Sequence, residues 1–240
     1  MPESRYKRII LKISGEALQG SKDFGLDDKV TLQLADEIVQ AHKLGVQIVV
    51  VVGGSNICKG LMGAALDMEQ AASDYVGMVA TIMNSLVLQE CISNKGVDTR
   101  VQTAISMPKV AEPYVRLRAV RHLEKGRIVI LGGGTGNPYV TTDSAAALRA
   151  AELQAELLMM AKNGVDGVYT DDPKKNPNAK ILARIGFDEF LEHRLEVIDT
   201  AAISICQANK IPICVFDCLG KGNIANILSG KSIGTIIDIA

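Results

Sequence analysis

The chain has 240 residues, 48% of them hydrophobic and 22% charged, a composition that excludes disordered and fibrous proteins. Its 26 basic and 27 acidic residues give a formal net charge of −1, so neither nucleic acid nor an anionic membrane is expected as a partner. The five cysteines form no Cys-x-x-Cys pair. Because the sequence also shows no signal peptide and no apolar run near about 18 residues, we expect a cytoplasmic protein.

Short β-branched runs alternate along the chain with segments of helical spacing. Strands are predicted at residues 8–13, 48–52, 100–105, 128–131, 157–161, 212–217 and 234–239. Helices are predicted at 30–44, 68–96, 113–124, 144–154, 187–194, 197–209 and 223–228, and a polar loop at 162–180. This alternation predicts a single three-layer α/β domain over residues 1–240, with helices on both faces of a mainly parallel central sheet.

Glycine-rich turns follow three of the predicted strands, at 14–15, 53–56 and 132–137. In open α/β sheets, ligands bind beyond the carboxyl ends of the strands, and glycine lets backbone N–H groups approach an anion closely. Three such turns favour a phosphate site over ordinary turns. The familiar nucleotide motifs are absent, because Ala225 replaces the first glycine of a P-loop and Asn137 the third glycine of a dinucleotide fingerprint.

Three charged residues stand out, and each has an ordinary alternative. Lys12, in an apolar run, either serves an anion or is an edge-strand lysine. Asp143 begins a predicted helix and is also a candidate for a plain N-cap. Asp74 either binds a ligand or lies on a solvated helix face. The three histidines are interpreted as surface residues. Because no general base stands out, the pattern favours an acceptor that is already ionised, such as a phosphate.

Four motifs occur in order along the chain. They are Leu-Lys-Ile-Ser-Gly-Glu-Ala-Leu at 11–18, Gly-Gly-Ser-Asn-Ile-Cys-Lys-Gly at 53–60, Gly-Thr-Gly-Asn-Pro-Tyr at 134–139 with Thr-Thr-Asp-Ser-Ala-Ala at 141–146, and Val-Asp-Gly-Val-Tyr-Thr-Asp-Asp-Pro at 165–173. Together they resemble the prokaryotic uridylate (UMP) kinases of the amino-acid-kinase fold family. The resemblance implies that fold, with glycine-rich loops at the carboxyl ends of the strands. It also implies phosphorylation of UMP to UDP by ATP, with Mg²⁺ as cofactor.

Residue roles also follow from the resemblance. The catalytic residues would be Lys12, Asp143 and Lys59. ATP would contact Lys12, Ile13, Ser14, Gly15, Ser55, Lys59, Asn163, Tyr169 and Asp172. UMP would contact Gly54, Asp74, Thr135, Gly136, Asn137, Pro138, Tyr139, Val140, Thr141 and Thr142, with Asp74 at the ribose. No side chain is assigned as a metal ligand. Residues up to about 160 would mainly bind UMP and form oligomer contacts, and residues 161–240 would mainly bind ATP.

Regulation and assembly are implied in the same way. Members of the family are typically homohexamers that GTP activates and UTP inhibits. The segment matching the GTP-responsive stretch consists of Gly20, Ser21, Lys22, Asp23, Phe24 and Gly25. The predicted helices at 30–44 and 68–96 carry more apolar residues than one covered face needs, so one of them is predicted to form an oligomer contact.

The chain departs from the family pattern at two positions. Ser55 replaces the third glycine of Gly-Gly-Gly-Asn, and Lys59 replaces an arginine, which keeps the charge but loses the two-pronged donor. Two other functions stay open from the sequence. One is a non-catalytic nucleotide-binding storage or sensor protein of the same fold, and the other is an amino-acid-kinase member with a different acceptor.

Overall fold

The computed structural model describes residues 4–61, 67–171, 176, 178–195 and 197–239. Its strands are β1 (Arg8–Ile13), β2 (Gln47–Val52), β3 (Thr99–Thr103), β4 (Glu112–Pro113), β5 (Ile128–Gly132), β6 (Leu157–Lys162), β7 (Val168–Tyr169), β8 (Ile181–Leu182), β9 (Arg184–Gly186), β10 (Ile213–Asp217) and β11 (Thr235–Asp238). Its helices are α1 (Gly15–Gln19), α2 (Asp28–His42), α3 (Ser55–Leu61), α4 (Gln70–Ser93), α5 (Arg116–Glu124), α6 (Thr142–Glu152), α7 (Phe187–Glu192), α8 (Thr200–Ala208) and α9 (Asn223–Leu228).

Within the described residues, nine strands form one sheet in the order β4-β3-β5-β2-β1-β6-β10-β11-β9. The middle strand is β1, which is parallel to both of its neighbours, β2 and β6. Antiparallel pairing in this sheet occurs between β10 and β11. The mainly parallel sheet predicted from the sequence is therefore confirmed. Lys12, which lies on β1, is not an edge-strand lysine.

Helices cover both faces of this sheet because successive strand residues point to opposite sides. Ile9, Leu11 and Ile13 of β1 belong to one core, which includes buried side chains of α2, α4 and α9. Ile10 belongs to a second core, built with α5, α6, α7 and α8. Strands that are buried on both faces appear in sequence as nearly continuous apolar runs, as β1 and β2 do. The three-layer α/β prediction is confirmed.

The structure differs from the predicted elements at strands that are only two residues long, β4, β7 and β8. Pro113, predicted to open a helix, ends the short strand β4, and α5 begins at Arg116. The predicted loop at 162–180 contains β7, which pairs antiparallel with β8 to form a separate hairpin. Strands of two residues are too short to show a period-two pattern. Pro173 and Pro177, on which the loop prediction rested, lie outside the described residues.

The long helix α4 corrects the expectation that no segment is apolar enough to span a membrane. By length and composition alone α4 could do so, since an 18-residue window has a mean hydropathy of 1.3. In the fold, however, α4 packs against β3, β5, α2 and α3. A core helix has the same composition, so this feature is weak evidence for a membrane span.

His122 also differs from its interpretation as a surface residue, because only 9% of it is exposed. Nη1 of Arg127 lies 3.1 Å from its Nδ1, and Nε2 lies 3.0 Å from a carboxylate oxygen of Glu112. A guanidinium can only donate, so Nδ1 accepts a hydrogen bond from Arg127. The Nε2–H group then donates a hydrogen bond to Glu112. The helical position alone could not show these partners, which come from β4 and the turn after α5.

Candidate active site

The carboxyl ends of β1, β2, β5 and β6 lie along one edge of the sheet, because these neighbouring strands are parallel. At this edge the first two glycine turns touch each other. The backbone N–H of Gly53 donates to the carbonyl of Ile13 over 2.8 Å. A Cβ added to Gly15 would lie 2.5 Å from the backbone nitrogen of Ser55, and one added to Gly53 would lie 2.8 Å from that of Gly15. Glycine is required at both positions.

A buried cluster of three charged side chains lies beside these turns. Nζ of Lys12 lies 2.6 Å from one carboxylate oxygen of Asp143, and Nζ of Lys162, at the end of β6, lies 3.1 Å from the other. Asp143 is in the first turn of α6, but Thr141 is the N-cap, accepting from the N–H of Ser144. The interpretation of Asp143 as a plain N-cap is therefore wrong, and its carboxylate is available to the two lysines.

Burial and charge set the ionisation of this cluster. Burial raises the pKa of Asp143, but the two lysines lower it by more, so the pKa lies below its usual value. Burial lowers the pKa of Lys12, and the positive charge of Lys162 adds to this, although Asp143 acts in the opposite direction. Lys12 thus forms an ion pair with Asp143 on the middle strand of the sheet, and only 5% of its surface is exposed. An anion bound next to it would interact in a poorly screened environment.

A cleft of about 230 Å³ opens next to the cluster, between α3, α4, the turn after β5 and the start of α6. Five residues predicted to contact UMP line it: Gly54, Asp74, Asn137, Val140 and Thr142. Ser55, predicted to contact ATP, lines the same cleft. Six further lining residues were not predicted: Cys58, Ser73, Gly77, Met78, Thr81 and Gly134.

Asp74 faces the cleft from the first turns of α4 and is partly buried. One of its oxygens accepts from the backbone N–H of Tyr139 over 2.7 Å, and the other accepts from the side chain of Gln70 over 2.7 Å. Tyr139 has a positive φ of 65° and its ring is exposed, so its backbone rather than its ring contributes to this contact. Asp74 therefore also holds the loop that covers one side of the cleft.

The other residues predicted for UMP lie in the same loop or at its end but do not line the cleft. These are Thr135, Gly136, Pro138, Tyr139 and Thr141. The hydroxyl of Thr135 accepts from the N–H of Asn137, and that of Thr141 is shared between the helix cap and Asp199. Their contribution to the cleft in this structure is to shape the loop.

Apart from Ser55, several residues predicted for ATP lie away from this cleft, near α1 and on the β7–β8 hairpin. Ser14 is the N-cap of α1, accepting from the N–H of Ala17. Asn163 lies against α1, with its side chain 3.4 Å from the carbonyl of Glu16. Tyr169, on the β7–β8 hairpin, donates to Asp166 over 2.8 Å. Asp172 lies outside the described residues, and Lys59 lies in α3.

The segment predicted to respond to GTP, 20–25, follows α1 and is joined to α3. The N–H of Gly25 donates to the carbonyl of Asn56, and the side chain of Asn56 donates back to the carbonyl of Gly25. Asn56 in turn forms a reciprocal amide pair with Asn84 of α4, over 2.7 and 3.1 Å. Asn84 also donates to the carbonyl of Gly53. This segment therefore contacts the turn between the two sides of the site.

Comparison with known proteins agrees with this geometry. Residues 7–217 match the family model of the amino acid kinase family. This chain belongs to the amino acid kinase family. It is 51% identical over 238 residues, 99% of each chain, to a uridylate kinase of Limosilactobacillus reuteri. The resemblance stated from the motifs is confirmed.

Solved structures agree with this membership of the amino acid kinase family. A UMP kinase structure from Bacillus anthracis matches with a TM-score of 0.94 and 38% identity, covering 97% of this chain and 96% of that one. A UMP kinase structure from Ureaplasma parvum matches with a TM-score of 0.90 and 38% identity, covering 98% and 99%. The whole arrangement of strands and helices is thus shared with family members.

Three residues that contribute to this amino acid kinase site were missed by the sequence analysis. Lys162 was assigned to a polar loop, although it ends an apolar run and precedes Asn-Gly, much as Lys12 precedes Ser-Gly. Thr81 accepts from the N–H of Gly133, and its position seven residues after Asp74 would have placed it on the same helix face. Asp199 accepts from the hydroxyls of Thr141 and Ser144, which no local pattern indicates.

A divalent metal fits this site if it arrives with the nucleotide. Among the described residues no group of three His, Cys, Asp or Glu side chains could hold an ion. Asp143 is the carboxylate at the centre of the site, and both of its oxygens are paired with lysines. Magnesium is commonly held by one or two carboxylates together with substrate phosphates, and this supply of ligands is compatible with that mode.

Proposed function

We propose that this chain transfers the terminal phosphoryl group of ATP to UMP, giving ADP and UDP. The observation that carries the proposal is the Lys12–Asp143–Lys162 cluster. Asp143 follows Thr142 of the cleft wall, and Lys12 lies on the strand that leads into the glycine turn at Gly15. The full-length uridylate kinase relative supports the same acceptor. The intact Lys12–Asp143 pair supports phosphoryl transfer over a non-catalytic storage or sensor protein of the same fold.

In this reaction the bond between the terminal phosphorus and the ADP oxygen breaks, and a bond to a phosphate oxygen of UMP forms. The acceptor oxygen is ionised at neutral pH, so no side chain has to remove a proton. Lys12 stabilises the charge on the transferred group, and Asp143 fixes the position of Lys12. Asp74 accepts hydrogen bonds from the ribose hydroxyls, and the N–H groups of the turns at Gly54 and Gly134 face the acceptor phosphate.

The cofactor in this proposal is Mg²⁺ bound to ATP. The ATP phosphates would hold it, while Asp143 would help to organise Lys12 and the metal-bound nucleotide, and the ion would neutralise charge on the phosphates during transfer. Residues up to about 160 supply the UMP side and most oligomer contacts, and residues 161–240 supply most of the ATP side, including Asn163 and Tyr169. Lys59 and Asp172 keep their proposed catalytic and ATP-binding roles.

Regulation, assembly and location belong to the same proposal. GTP activates and UTP inhibits the enzyme, and the segment 20–25 takes part in the GTP response through its contact with Asn56. The enzyme acts in the cytoplasm as a hexamer. The hexamer buries an exposed apolar stripe of α4, which is formed by Tyr75, Val79, Met83 and Val87. Ser55 and Lys59 depart from the family pattern, so the strength of the GTP response is a property to measure in this enzyme.

The acceptor is tested by a coupled assay of ADP release with UMP, CMP, dUMP, acetylglutamate and aspartate. We expect turnover with UMP well above that with the other four. Turnover with a carboxylate would instead support another amino-acid-kinase activity. Binding of UMP and ATP with no release of ADP would support the storage or sensor alternative.

A further inference from the structure

The hairpin β7–β8 is not part of the nine-stranded sheet, yet it carries Tyr169 of the proposed ATP side. One strand of the hairpin, β8, is fixed by chain continuity, because only Ala183 separates it from β9. The other strand, β7, follows the stretch 163–167 and is held through its pairing with β8. The side chain of Val168 also packs into the second core, and a polar contact adds to this attachment.

Thr235, the first residue of β11, provides that contact and has no exposed surface. Its hydroxyl oxygen accepts from the backbone N–H of Val168 over 2.7 Å and donates to the carbonyl of Leu182. Val168 and Leu182 are register partners in the hairpin. One buried hydroxyl thus joins both strands of the hairpin to the edge region of the main sheet.

The chain next to this hydroxyl leaves no room for a larger residue. A Cβ added to Gly167 would lie 2.6 Å from the oxygen of Thr235 and 2.8 Å from a methyl carbon of Ile181. The hydroxyl therefore bonds to Val168 and Leu182 at the hairpin base, next to a position where only glycine fits. A hydrogen-bonded group so enclosed cannot exchange its partners for water.

We propose that Thr235 is a positioning residue for the ATP side: its hydroxyl holds the β7–β8 hairpin in the place where Tyr169 contacts the donor nucleotide. This inference rests on the proposed function. It predicts that loss of the hydroxyl weakens ATP binding while the acceptor cleft, which shares no partner with Thr235, is unaffected.

The test compares Thr235→Val, which keeps the shape, with Thr235→Ser, which keeps the hydroxyl. We expect Thr235→Val to raise the KM for ATP roughly tenfold, the scale of one lost buried hydrogen bond, and to leave the KM for UMP within about twofold. Thr235→Ser should restore most of the ATP affinity. In hydrogen exchange, the Val168 amide should lose protection in Thr235→Val and keep it in Thr235→Ser.

A matched control exists on the acceptor side. Thr81 is buried, and its hydroxyl accepts from the N–H of Gly133 and donates to the carbonyl of Met78. Thr81→Val should raise the KM for UMP and not that for ATP. Equal changes in both constants in both variants would show a general loss of structure and overturn the proposal, as would an unchanged KM for ATP in folded Thr235→Val.

Two further measurements keep the proposal testable if Thr235→Val does not fold or the enzyme acts on another acceptor. Gly167→Ala displaces the hydroxyl from the other side and should also weaken ATP binding. Calorimetric titration with a non-hydrolysable ATP analogue measures that binding without turnover. If the wild-type chain binds the analogue but does not phosphorylate UMP, the proposed function fails. The role of Thr235 is then decided by comparing analogue binding in the variants and the wild type. Unchanged analogue binding in Gly167→Ala would contradict that role.

Discussion

Lys12 is an unusual residue for the middle strand of a sheet, because a buried lysine is costly unless a carboxylate pairs with it. Asp143 supplies that carboxylate at 2.6 Å, and Lys162 completes the cluster. A three-charge group of this kind leaves an excess of one positive charge at the carboxyl ends of the strands. That excess is suited to a bound phosphate group.

Lys12→Ala should lower kcat by roughly a hundredfold or more, because it removes one electrostatic stabiliser of the transferred group. Asp143 keeps its pair with Lys162 in this variant, so we expect the protein to fold. The measurement is steady-state kinetics with circular dichroism as a check of folding. The control is Lys7→Ala, because Lys7 is exposed and lies just before the first residue of β1. A near-normal kcat in Lys12→Ala would contradict the proposed role of Lys12.

Asp143→Asn should destabilise the fold by about 3 kcal/mol at neutral pH, because the buried Lys12 and the partly buried Lys162 lose their carboxylate. The pKa of Asp143 is lowered in the folded state, so the wild-type advantage is complete above the unfolded pKa of about 4 and disappears as the pH falls through the folded value. Urea unfolding of both proteins across the acidic range measures this. A constant difference down to the lowest pH would contradict the assignment.

Asp74→Ala should raise the KM for UMP, leave that for ATP nearly unchanged, and reduce the preference for UMP over dUMP. The carboxylate is expected to accept hydrogen bonds from the ribose hydroxyls. Because dUMP lacks one of these hydroxyls, its binding is weakened less than that of UMP when Asp74 is removed. Gln70→Ala is a useful control, because Gln70 bonds to the same carboxylate without lining the cleft. A selective effect on ATP would show that the two nucleotide sides are assigned in reverse, and no effect on either substrate would support a solvated helix residue.

At the scale of elements, α4 has two functional sides. Its inner side carries Asp74 and Thr81 at the cleft. Its outer side carries an exposed apolar stripe at every fourth position, formed by Tyr75, Val79, Met83 and Val87. Such a stripe on a helix is typical of a surface that another subunit covers. The apolar composition that resembles a membrane span comes from this stripe together with core residues of α4 such as Leu88 and Ile92.

Replacing Met83, which is 51% exposed, by Glu should shift the protein toward smaller species, because a charge would be buried in the subunit contact. Multi-angle light scattering at micromolar concentration measures the assembly. Leu117→Glu, at an even more exposed apolar position on α5, is the matched control and should leave the assembly unchanged. A wild-type protein that is monomeric in this measurement would contradict the predicted contact.

The sequence predicted the buried strands and long helices well, because burial on two faces or on one helical face gives a clear period. It also singled out Lys12, Asp74 and Asp143, and the resemblance assigned all three to the nucleotide sites. It could not assign the cap of α6, because Thr141 and Asp143 are both good caps and only tertiary pairing with Lys12 decides between them. The hairpin β7–β8 was missed because its anchor, Thr235, is 67 residues from Val168.

At the scale of the whole molecule, one sheet runs through both parts that are proposed to bind the two nucleotides. The strand β6 crosses the boundary near residue 160, and it pairs with β1 of the first part and with β10 of the second. Separating the parts would expose two cores that share β1. The structure thus favours one cooperative folding unit.

We therefore expect a single unfolding transition that either nucleotide shifts as a whole. UMP at a hundred times its Kd should add about 2.7 kcal/mol to the free energy of unfolding, and the ATP analogue should do the same. Calorimetry with each ligand tests this expectation. Far-ultraviolet circular dichroism is a second probe of unfolding, suited to a chain that has no tryptophan. Two separate transitions, each moved by one nucleotide, would show two independent domains.

The contact between the glycine turns has a consequence for attempts to change the acceptor. Because Gly15 and the backbone of Ser55 leave no space for even one methyl group, a substitution in either turn disturbs the pockets of both nucleotides together. Variants selected for a new acceptor should therefore carry their changes in the α4 wall, around Ser73 and Met78, where the chain borders one substrate alone. The turns would stay as they are, and a library that randomises them would yield mostly inactive protein.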